Sequence, residues 1–297
     1  MEVRPIDYVV PMVFHDDVSW QQDFNRVGVQ YDERRVDDFV RWRSWGTERL
    51  LVRCVRKYMP FVRTLYVILA RESQKQSWMD EEEVRIVYHK DFIPEEYLPT
   101  FNSCAIEMFL HMIPDISDRF IYGNDDMFPL SPLTEDDFFE GDVPCLHEAE
   151  LTFPASPNVF HRICRNALNF VAKEFGKEYT TTWLKGDHSL TPMLRETWEY
   201  LHTLQAGAVR STITPFRSSE NFIQWISPWW HYLSGNYVDK MPKQTYVSVK
   251  DSVDEVVAAI GREDSGVVCI NDNECEQDYM KYGRAVIHAI EQKLNNN

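Results

Sequence analysis

Four short runs in the first half of the chain are apolar and rich in β-branched or aromatic residues, which is typical of buried strands. They are Ile6–Val13, Leu65–Leu69, Val84–Tyr88 and Phe120–Tyr122. Between them, apolar residues recur at helical spacing over 36–58, interrupted near Gly46, and over Asn102–His111, capped by Asn102 or Ser103. This β-α-β-β-α-β order predicts an α/β fold with a mainly parallel sheet covered by helices.

The second half of the chain has a less regular pattern. The stretch from Ser131 to Asn158 is rich in prolines and acids and predicts loops that form a lid or a substrate arm. The pattern then predicts further elements: helices near 159–175, 192–204 and 220–233, a strand at 267–270 and a closing helix at 278–294. We therefore expect one α/β domain over 1–297 with a loop-rich and helical insertion at about 131–245.

The charge balance limits the ligands that this protein can bind. It has 31 basic and 47 acidic residues, a formal net charge of −16. Such a chain repels a nucleic-acid backbone, so no nucleic-acid partner is expected. A phosphorylated ligand would need a metal ion or a local basic cluster to reverse the field.

The distribution of cysteines and the hydropathy of the chain indicate the cellular compartment of the protein. The six cysteines are scattered without a C-x-x-C pair, which favours buried thiols in a reducing environment. No signal peptide is evident, and no run approaches the ~20 apolar residues that span a bilayer. We expect a cytoplasmic protein, and peripheral contact with the inner face of the membrane stays open.

Two predicted strands end in clusters of carboxylate and amide side chains. Asn124, Asp125 and Asp126 follow Phe120–Tyr122, and Asn271, Asp272 and Asn273 follow the strand near 267–270. In extended geometry Asn124 and Asp126 share a face, and so do Asn271 and Asn273. Oxygen clusters at the carboxyl ends of strands suit Mg²⁺ or Mn²⁺, although Asp and Asn also cap ordinary turns.

Two further residues are candidates for chemistry on a phosphorylated ligand. His188 lies in a polar loop just before a helix that Pro192 can start, which suits a proton acceptor that must reach a substrate. Arg217 precedes a predicted helix start and could grip an oxyanion, with a surface role as the alternative. The chain lacks the G-x-G-x-x-G, Walker, G-x-S-x-G and H-E-x-x-H motifs, which disfavours the enzyme classes that use them.

The segment His89–Phe128 (HKDFIPEEYLPTFNSCAIEMFLHMIPDISDRFIYGNDDMF) closely resembles the second conserved region of the Stealth family. Upstream, RWRSWGTERLLVRCVRKYMPFVR extends the match. IDYVVPMVFHDDVSW is similar to the first region, HSLTPMLRE through FRSSEN to the third, and VVCINDN to the fourth. These bacterial capsular and exopolysaccharide phosphotransferases are related to GlcNAc-1-phosphotransferase.

The resemblance implies a GT-A-like nucleotide-sugar transferase fold that needs a divalent metal. The implied reaction moves a hexose-1-phosphate from a UDP-sugar to a hydroxyl of an oligo- or polysaccharide acceptor and releases UMP. In this sequence the family's acidic pair corresponds to Asp125 and Asp126, its third-region histidine to His188 and its third-region arginine to Arg217. The fourth-region N-D-N corresponds to Asn271, Asp272 and Asn273.

We expect catalytic roles for His188, Arg217 and Asp126. The metal is expected to be held by Asp125, Asp126 and the N-D-N cluster, which is Asn271, Asp272 and Asn273. Substrate-binding roles are expected for four other residues: Asp7, Asn102, Asn124 and Arg43. The sequence departs from the family where Phe14 and His15 replace an Asp-Gly pair, where Cys104 replaces a His, and where Gly123 replaces a bulky residue.

Two alternatives stay open at the level of sequence. One is a metal-dependent glycosyltransferase with the same donor, which would release UDP and form a glycoside. The other is a non-catalytic glycan-binding subunit of a polysaccharide assembly complex.

Overall fold

The computed structural model describes residues 4–31, 42–186, 188–248, 251–271 and 279–296. Its strands, numbered in chain order, are β1 Ile6–Pro11, β2 Val62–Leu69, β3 Arg85–Tyr88, β4 Arg119–Tyr122, β5 Met127–Pro129, β6 Phe139–Glu140, β7 Val143–Leu146, β8 Glu148–Thr152, β9 Thr182–Gly186, β10 Thr191–Leu194, β11 Val238–Asp239, β12 Gln244–Ser248 and β13 Val267–Asn271. Its α-helices are α1 Val18–Tyr31, α2 Glu48–Tyr58, α3 Trp78–Glu81, α4 His89–Phe92, α5 Ser103–Glu107, α6 Val159–Ala172, α7 Arg195–Leu201, α8 Ala208–Ser211, α9 Ile226–Ser234, α10 Val253–Gly261 and α11 Tyr279–Asn295.

The main sheet has the strand order β10–β4–β1–β2–β3. Strands β4, β1, β2 and β3 are parallel, and β10 pairs with β4 in the antiparallel direction. Because β1 lies in the middle, both of its faces are buried and its sequence is almost continuously apolar. The expectation of a mainly parallel sheet with helices on its faces, consistent with a GT-A-like fold, is confirmed.

The two faces of the sheet carry separate hydrophobic cores. On one face Tyr8 and Val10 of β1 pack with residues of α2, α10 and α11. On the other face Val9 packs with residues of α5, α6, α7 and α9. The alternation along β1 thus divides the helices between two layers, as a period of two requires.

Smaller sheets surround the main one. Their strand orders are β12–β13–β5, β11–β7–β6 and β8–β9. The 131–158 stretch, predicted as loops, therefore contains the three strands β6, β7 and β8. The predicted strand at 267–270 is present as β13, but it lies in a small second sheet beside β5 rather than in the main sheet.

Two predicted helix starts differ from the structure. The helix predicted over 192–204 begins at Arg195, since Thr191–Leu194 is buried and forms the edge strand β10 against β4. A proline is tolerated on such an edge strand. The helix predicted over 220–233 begins at Ile226. The interruption predicted near Gly46 is confirmed, since α2 begins at Glu48 after a turn in which Gly46 has a φ of +82°.

Two other expectations concern the described residues. All five cysteines in the described ranges are buried and free, as the scattered spacing predicts. Within the same ranges, no helix combines the length and the apolarity needed to cross a bilayer.

Candidate active site

The site forms where β4 ends and the chain turns back. The carbonyl of Asn124 accepts a hydrogen bond from the Met127 amide (3.2 Å), so 124–126 is a turn and the alternation expected for an extended strand does not apply. The chain then continues as β5, which pairs with β13. The Ile270 amide donates to the Asp126 carbonyl (2.8 Å), which sets the carboxyl end of β13 and Asn271 beside Asp126.

Asp126 meets two side chains that lie far from it in sequence. The Nε2 atom of His188 lies 3.4 Å from Oδ2 of Asp126. The Cys269 thiol, on β13, donates to the same oxygen over 3.4 Å. One potential ligand atom from each of these three residues lies within 4.8 Å of the others. This group brings together two predicted site residues and one that sequence analysis did not select.

The other carboxylate oxygen of Asp126 lacks a partner. Oδ1 is buried, and no group in the described ranges hydrogen bonds to it. An unpaired buried carboxylate oxygen is costly, and a cation is the natural group to satisfy it. The donor atoms around it therefore fit a metal ion, although no identity follows from a mixed carboxylate, imidazole and thiol set.

The protonation of His188 depends on opposing influences. Burial and the Arg217 charge favour the neutral ring, but the hydrogen bond and charge of Asp126, aided by Glu107, outweigh them and raise the pKa of His188. Burial and the Asp126 charge raise the pKa of Cys269 well above its usual value. Without a cation the thiol thus stays protonated and serves as a donor to Asp126.

Arg217 reaches the site from the segment before α9. Its Nη2 atom donates to Oγ of Ser103 (2.6 Å), at the first turn of α5. Its charge acts on both Glu107 and His188. The sequence predicts a helix start directly after Arg217, but the structure has a loop there. Contacts between the Arg217 side chain and α5, rather than a helix N-terminus, therefore hold the guanidinium in place.

Asn102 stabilises the loop that carries Arg217. Its Oδ1 accepts from the Cys104 amide (3.1 Å), which confirms it as the cap of α5. Its Nδ2 donates to the Thr214 carbonyl (3.0 Å) and to Oδ1 of Asn221 (2.9 Å). Since Asn102 is buried and its amide is engaged on both sides, it fastens the Arg217 loop to α5, and the structure does not offer its amide to a substrate.

Glu107 is a buried acid that sequence analysis did not select. Its Oε1 accepts from the Tyr122 hydroxyl (3.2 Å), and its Oε2 accepts from the Gln224 amide (3.0 Å). Burial raises the pKa of Glu107, while Arg217 favours its charged form. The available signal was a lone charge in SCAIEMF, an otherwise buried helical segment.

Gly123 is required by the close approach of Tyr8. A Cβ at Gly123 would lie 2.2 Å from the Tyr8 hydroxyl oxygen and 2.7 Å from Cδ2 of Leu190. The Tyr8 hydroxyl is buried and has no hydrogen-bond partner in the described ranges. Burial, followed by the Asp126 charge, raises the pKa of Tyr8 far above its ordinary value. This departure from the family pattern therefore accommodates a large ring under the turn that carries Asp126.

The other two predicted substrate-binding residues, Asp7 and Arg43, each contact a side chain outside this group. Asp7 is at the amino end of β1, fully buried, and its carboxylate accepts from Arg63 and from the Thr64 and Ser117 amides. It therefore supports the opposite edge of the sheet, and the expectation that it binds substrate is replaced by a structural role. Arg43 lies over the Tyr279 ring, with its guanidinium carbon 4.1 Å from the ring centroid.

The remaining predicted residues are only partly described. Asn124 and Asp125 are half-buried in the turn with Asp126, and Asn271 ends β13. Asp272 and Asn273 lie outside the described residues.

Residues 41–145, which include α5, β4 and Asp126, match the family described as "Stealth protein CR2, conserved region 2". This chain belongs to the Stealth family.

Relatives of this Stealth protein extend the match along the whole chain. A capsular polysaccharide phosphotransferase of Streptococcus pneumoniae is 26% identical over 98% of this chain and 96% of its own length. One from Actinobacillus pleuropneumoniae is 29% identical over 82% of this chain and 70% of its own. A receptor polysaccharide phosphotransferase of Streptococcus gordonii is 25% identical over 98% of this chain and 97% of its own length.

Proposed function

We propose that this Stealth protein is a sugar-1-phosphate transferase of capsular or exopolysaccharide synthesis. It would move a hexose-1-phosphate from a UDP-sugar to a hydroxyl of an acceptor glycan and release UMP. The relatives named as polysaccharide phosphotransferases support this reaction class. The observation that carries the proposal is the unpaired Oδ1 of Asp126 beside His188, at the carboxyl edge of the sheet.

Asp126 would hold Mg²⁺ or Mn²⁺ together with Asp125 and the Asn271–Asn273 segment. Carboxylate and amide oxygens are the ligands that these ions prefer, and an adjacent imidazole is compatible with Mn²⁺. When bound, the ion supplies positive charge that offsets the diphosphate and the departing UMP. It would also resolve the difficulty of binding a polyanion to a protein with a net charge of −16.

His188 would take the proton of the attacking hydroxyl. With Nε2 directed at Asp126, the tautomer that donates from Nε2 leaves the lone pair of Nδ1 for that proton. The Asp126 carboxylate then orients the ring and stabilises the imidazolium that forms. A base of this kind contributes about 10²–10⁴ in rate.

Arg217 would bind the phosphoryl group that is transferred. A guanidinium offers paired donors to phosphate oxygens, and the contact with Ser103 orients it. Glu107 lies behind Arg217 as a buried acid whose charge acts on both Arg217 and His188. Together the metal ion, Arg217 and His188 would supply the positioning, the charge neutralisation and the proton acceptor that phosphoryl transfer requires.

Product analysis tests this proposal. The protein is incubated with a set of UDP-sugars, Mg²⁺ or Mn²⁺ and a panel of acceptor glycans, and the nucleotide products are separated. We expect UMP together with a phosphodiester-linked product, and loss of turnover when the metal is chelated. Release of UDP with a glycoside product would identify a glycosyltransferase instead. Glycan binding without any turnover of UDP-sugars in the presence of metal would identify a non-catalytic subunit.

A further inference from the structure

The side chains of Asp126, His188 and Cys269 bring three different kinds of metal ligand to one point. Nε2 of His188 and Sγ of Cys269 each lie 3.4 Å from the same carboxylate oxygen, Oδ2 of Asp126. All three atoms lie within 4.8 Å of one another. The other oxygen of Asp126, Oδ1, stays available for the oxygen-bound ion of the proposed reaction. Oδ2 and its two neighbours therefore form a ligand set of their own.

The distances within this set match the edges of a zinc tetrahedron. Zinc binds carboxylate oxygen and imidazole nitrogen at about 2.0–2.2 Å and thiolate sulfur at about 2.3 Å, so its ligand atoms are about 3.3–3.7 Å apart at tetrahedral angles. Oδ2 of Asp126 already stands at that distance from Nε2 and from Sγ. Nε2 and Sγ are at most 4.8 Å apart, and a small rotation of the His188 ring shortens that distance.

The ligand types leave several metals open, and zinc is the one that suits all of them. A thiolate suits zinc and copper(I) but not Mg²⁺ or Mn²⁺, which prefer oxygen ligands. An imidazole suits zinc, copper, iron and nickel. Zinc takes both, together with a carboxylate oxygen, and it does so in four-coordinate geometry.

The ligand set is accessible from solvent on one side. The His188 and Asp126 side chains are 32% and 25% exposed, whereas Cys269 is buried in β13. An ion can therefore enter past the imidazole and the carboxylate and reach the sulfur. Three protein ligands with water in the fourth position are the arrangement of zinc sites that keep one position open.

We propose that Asp126, His188 and Cys269 form a zinc site whose occupation prevents His188 from acting as a base. The inference rests on the proposed function, since it takes His188 to be the proton acceptor. Zinc on Nε2 requires a neutral ring with its proton on Nδ1, so neither nitrogen keeps a lone pair for the acceptor hydroxyl. The Cys269 thiol releases its proton to solvent as the sulfur binds. Zinc thus inhibits the reaction that Mg²⁺ or Mn²⁺ supports.

Cobalt(II) tests the site without any nucleotide. Co²⁺ replaces zinc in tetrahedral sites, where its visible absorption is much stronger than in octahedral sites, and a sulfur ligand adds a charge-transfer band. The protein is titrated with Co²⁺ under reducing conditions, and Zn²⁺ is then added to displace it. Cys269→Ser removes the sulfur ligand. His147→Ala is the matched control, because His147 forms an exposed pair with Asp239 that includes no thiol.

We expect a tetrahedral spectrum with a sulfur band in the unaltered protein and in His147→Ala. Cys269→Ser should lose the band and bind Zn²⁺ at least about 100-fold more weakly, since even the loss of a group that only hydrogen bonds to a ligand costs about 10–100-fold. Thermal unfolding checks that the variants fold. Unchanged Zn²⁺ affinity in a folded Cys269→Ser variant would overturn the site, and so would an octahedral spectrum in the unaltered protein.

Diethyl pyrocarbonate tests the block on His188 and needs no variant. The reagent acylates an imidazole nitrogen that has a free lone pair, and peptide mass spectrometry reads each histidine separately. Zn²⁺ that fills about nine-tenths of the sites should slow the modification of His188 about tenfold and leave exposed His147 unchanged. Equal modification of His188 with and without saturating Zn²⁺ would contradict the proposal.

The same concentration of Zn²⁺ should stop UMP release in the presence of excess Mg²⁺. Continued release at saturating Zn²⁺ would show that His188 still accepts the proton, against the proposal. If UDP-sugars are not turned over with Mg²⁺ or Mn²⁺ alone, the proposed reaction fails separately. The cobalt spectra and the protection of His188 then still decide whether zinc binds here and occupies the imidazole.

Discussion

His188 and Asp126 are 62 residues apart in sequence, and their side chains meet with Nε2 and Oδ2 3.4 Å apart. The contact arises because β10, which follows His188, pairs antiparallel with β4, which precedes Asp126. The loop that enters β10 and the turn that leaves β4 therefore lie at the same edge of the sheet. An acid that orients an imidazole is a common arrangement for proton transfer.

His188 and Asp126 should act as one unit. We expect His188→Ala and Asp126→Asn each to lower kcat by about 10²–10⁴, and the double variant to lose much less than the product of the two losses. Steady-state rates of UMP release measure the three effects. The exposed pair of His147 and Asp239, 2.9 Å apart, offers a matched control, and His147→Ala should leave kcat unchanged. Near-normal turnover in a folded His188→Ala variant would remove histidine from the role of base.

Arg217 should be sensitive even to replacement by lysine. Arg217→Lys keeps the charge near Glu107 but loses the planar fork that binds two phosphate oxygens. We expect a fall of about 10²-fold in kcat/KM with little change in the midpoint of thermal unfolding. Arg195→Lys is the control, because Arg195 forms an exposed ion pair with Asp118. Equal kinetic constants for the two variants would assign Arg217 to structure alone.

The contact between Gly123 and Tyr8 should limit substitution under the catalytic turn. Gly123→Ala drives a Cβ into the Tyr8 hydroxyl and should lower the free energy of unfolding by about 1–3 kcal/mol. Tyr8→Phe removes a buried hydroxyl that lacks a partner, so by itself it should be neutral or stabilising. The double variant should recover part of the loss, although Leu190 still limits the space.

Urea unfolding measures these three changes. Gly261→Ala is the control, because a Cβ there meets no atom within 4 Å, and the change should stabilise the helix end by about 0.5–1 kcal/mol. Additive effects of Gly123→Ala and Tyr8→Phe would show that the two positions do not interact.

Stability should fall in mild acid because of buried histidines. Burial lowers the pKa of His231 to about 4, and the ring is held beside Thr197 Oγ1, 2.9 Å from Nε2. In the unfolded chain histidine takes up a proton below about pH 6.5, whereas the folded protein does so only near pH 4. The unfolded state thus binds more protons in this window, and His231 costs about 1.4 kcal/mol of stability per pH unit as the pH falls through it.

Urea unfolding between pH 7 and pH 5 measures that slope. His231→Gln should reduce it by the contribution of one proton, while His288→Gln, on an exposed part of α11, should leave it unchanged. An identical slope in the His231→Gln variant would show that this ring does not resist protonation in the folded state.

Much of the fold follows from local patterns in the sequence. The runs that became β1, β2 and β4 are apolar because both faces of a central parallel sheet are buried, and this signal needs no partner strand to be detected. The cap of α5 by Asn102 is equally local, since an Asx side chain bonds to an amide two residues on. The resemblance of His89–Phe128 to the Stealth family also belongs to the sequence.

The structure of other segments depends on pairing with strands that are distant in the sequence. Thr191–Leu194 was predicted as a helix start, but burial against β4 makes it a strand, since pairing with a sheet edge outweighs a weak local propensity. Likewise β13 joined the second sheet because β5 turns back from Asp126 to meet it.

The candidate site shows the same division between what the sequence predicts and what the tertiary structure decides. The sequence by itself selected the candidates for chemistry: Asp126 after a buried strand, His188 in a polar loop and Arg217 in a segment that resembles the family's third region. Only the tertiary structure decided that Asp7 serves the opposite edge and that Glu107 and Cys269 join the site. The physical reason is that residue type and local spacing can be read directly from the sequence. Which side chains share a buried space depends on strand order, and strand order is set by contacts between distant segments.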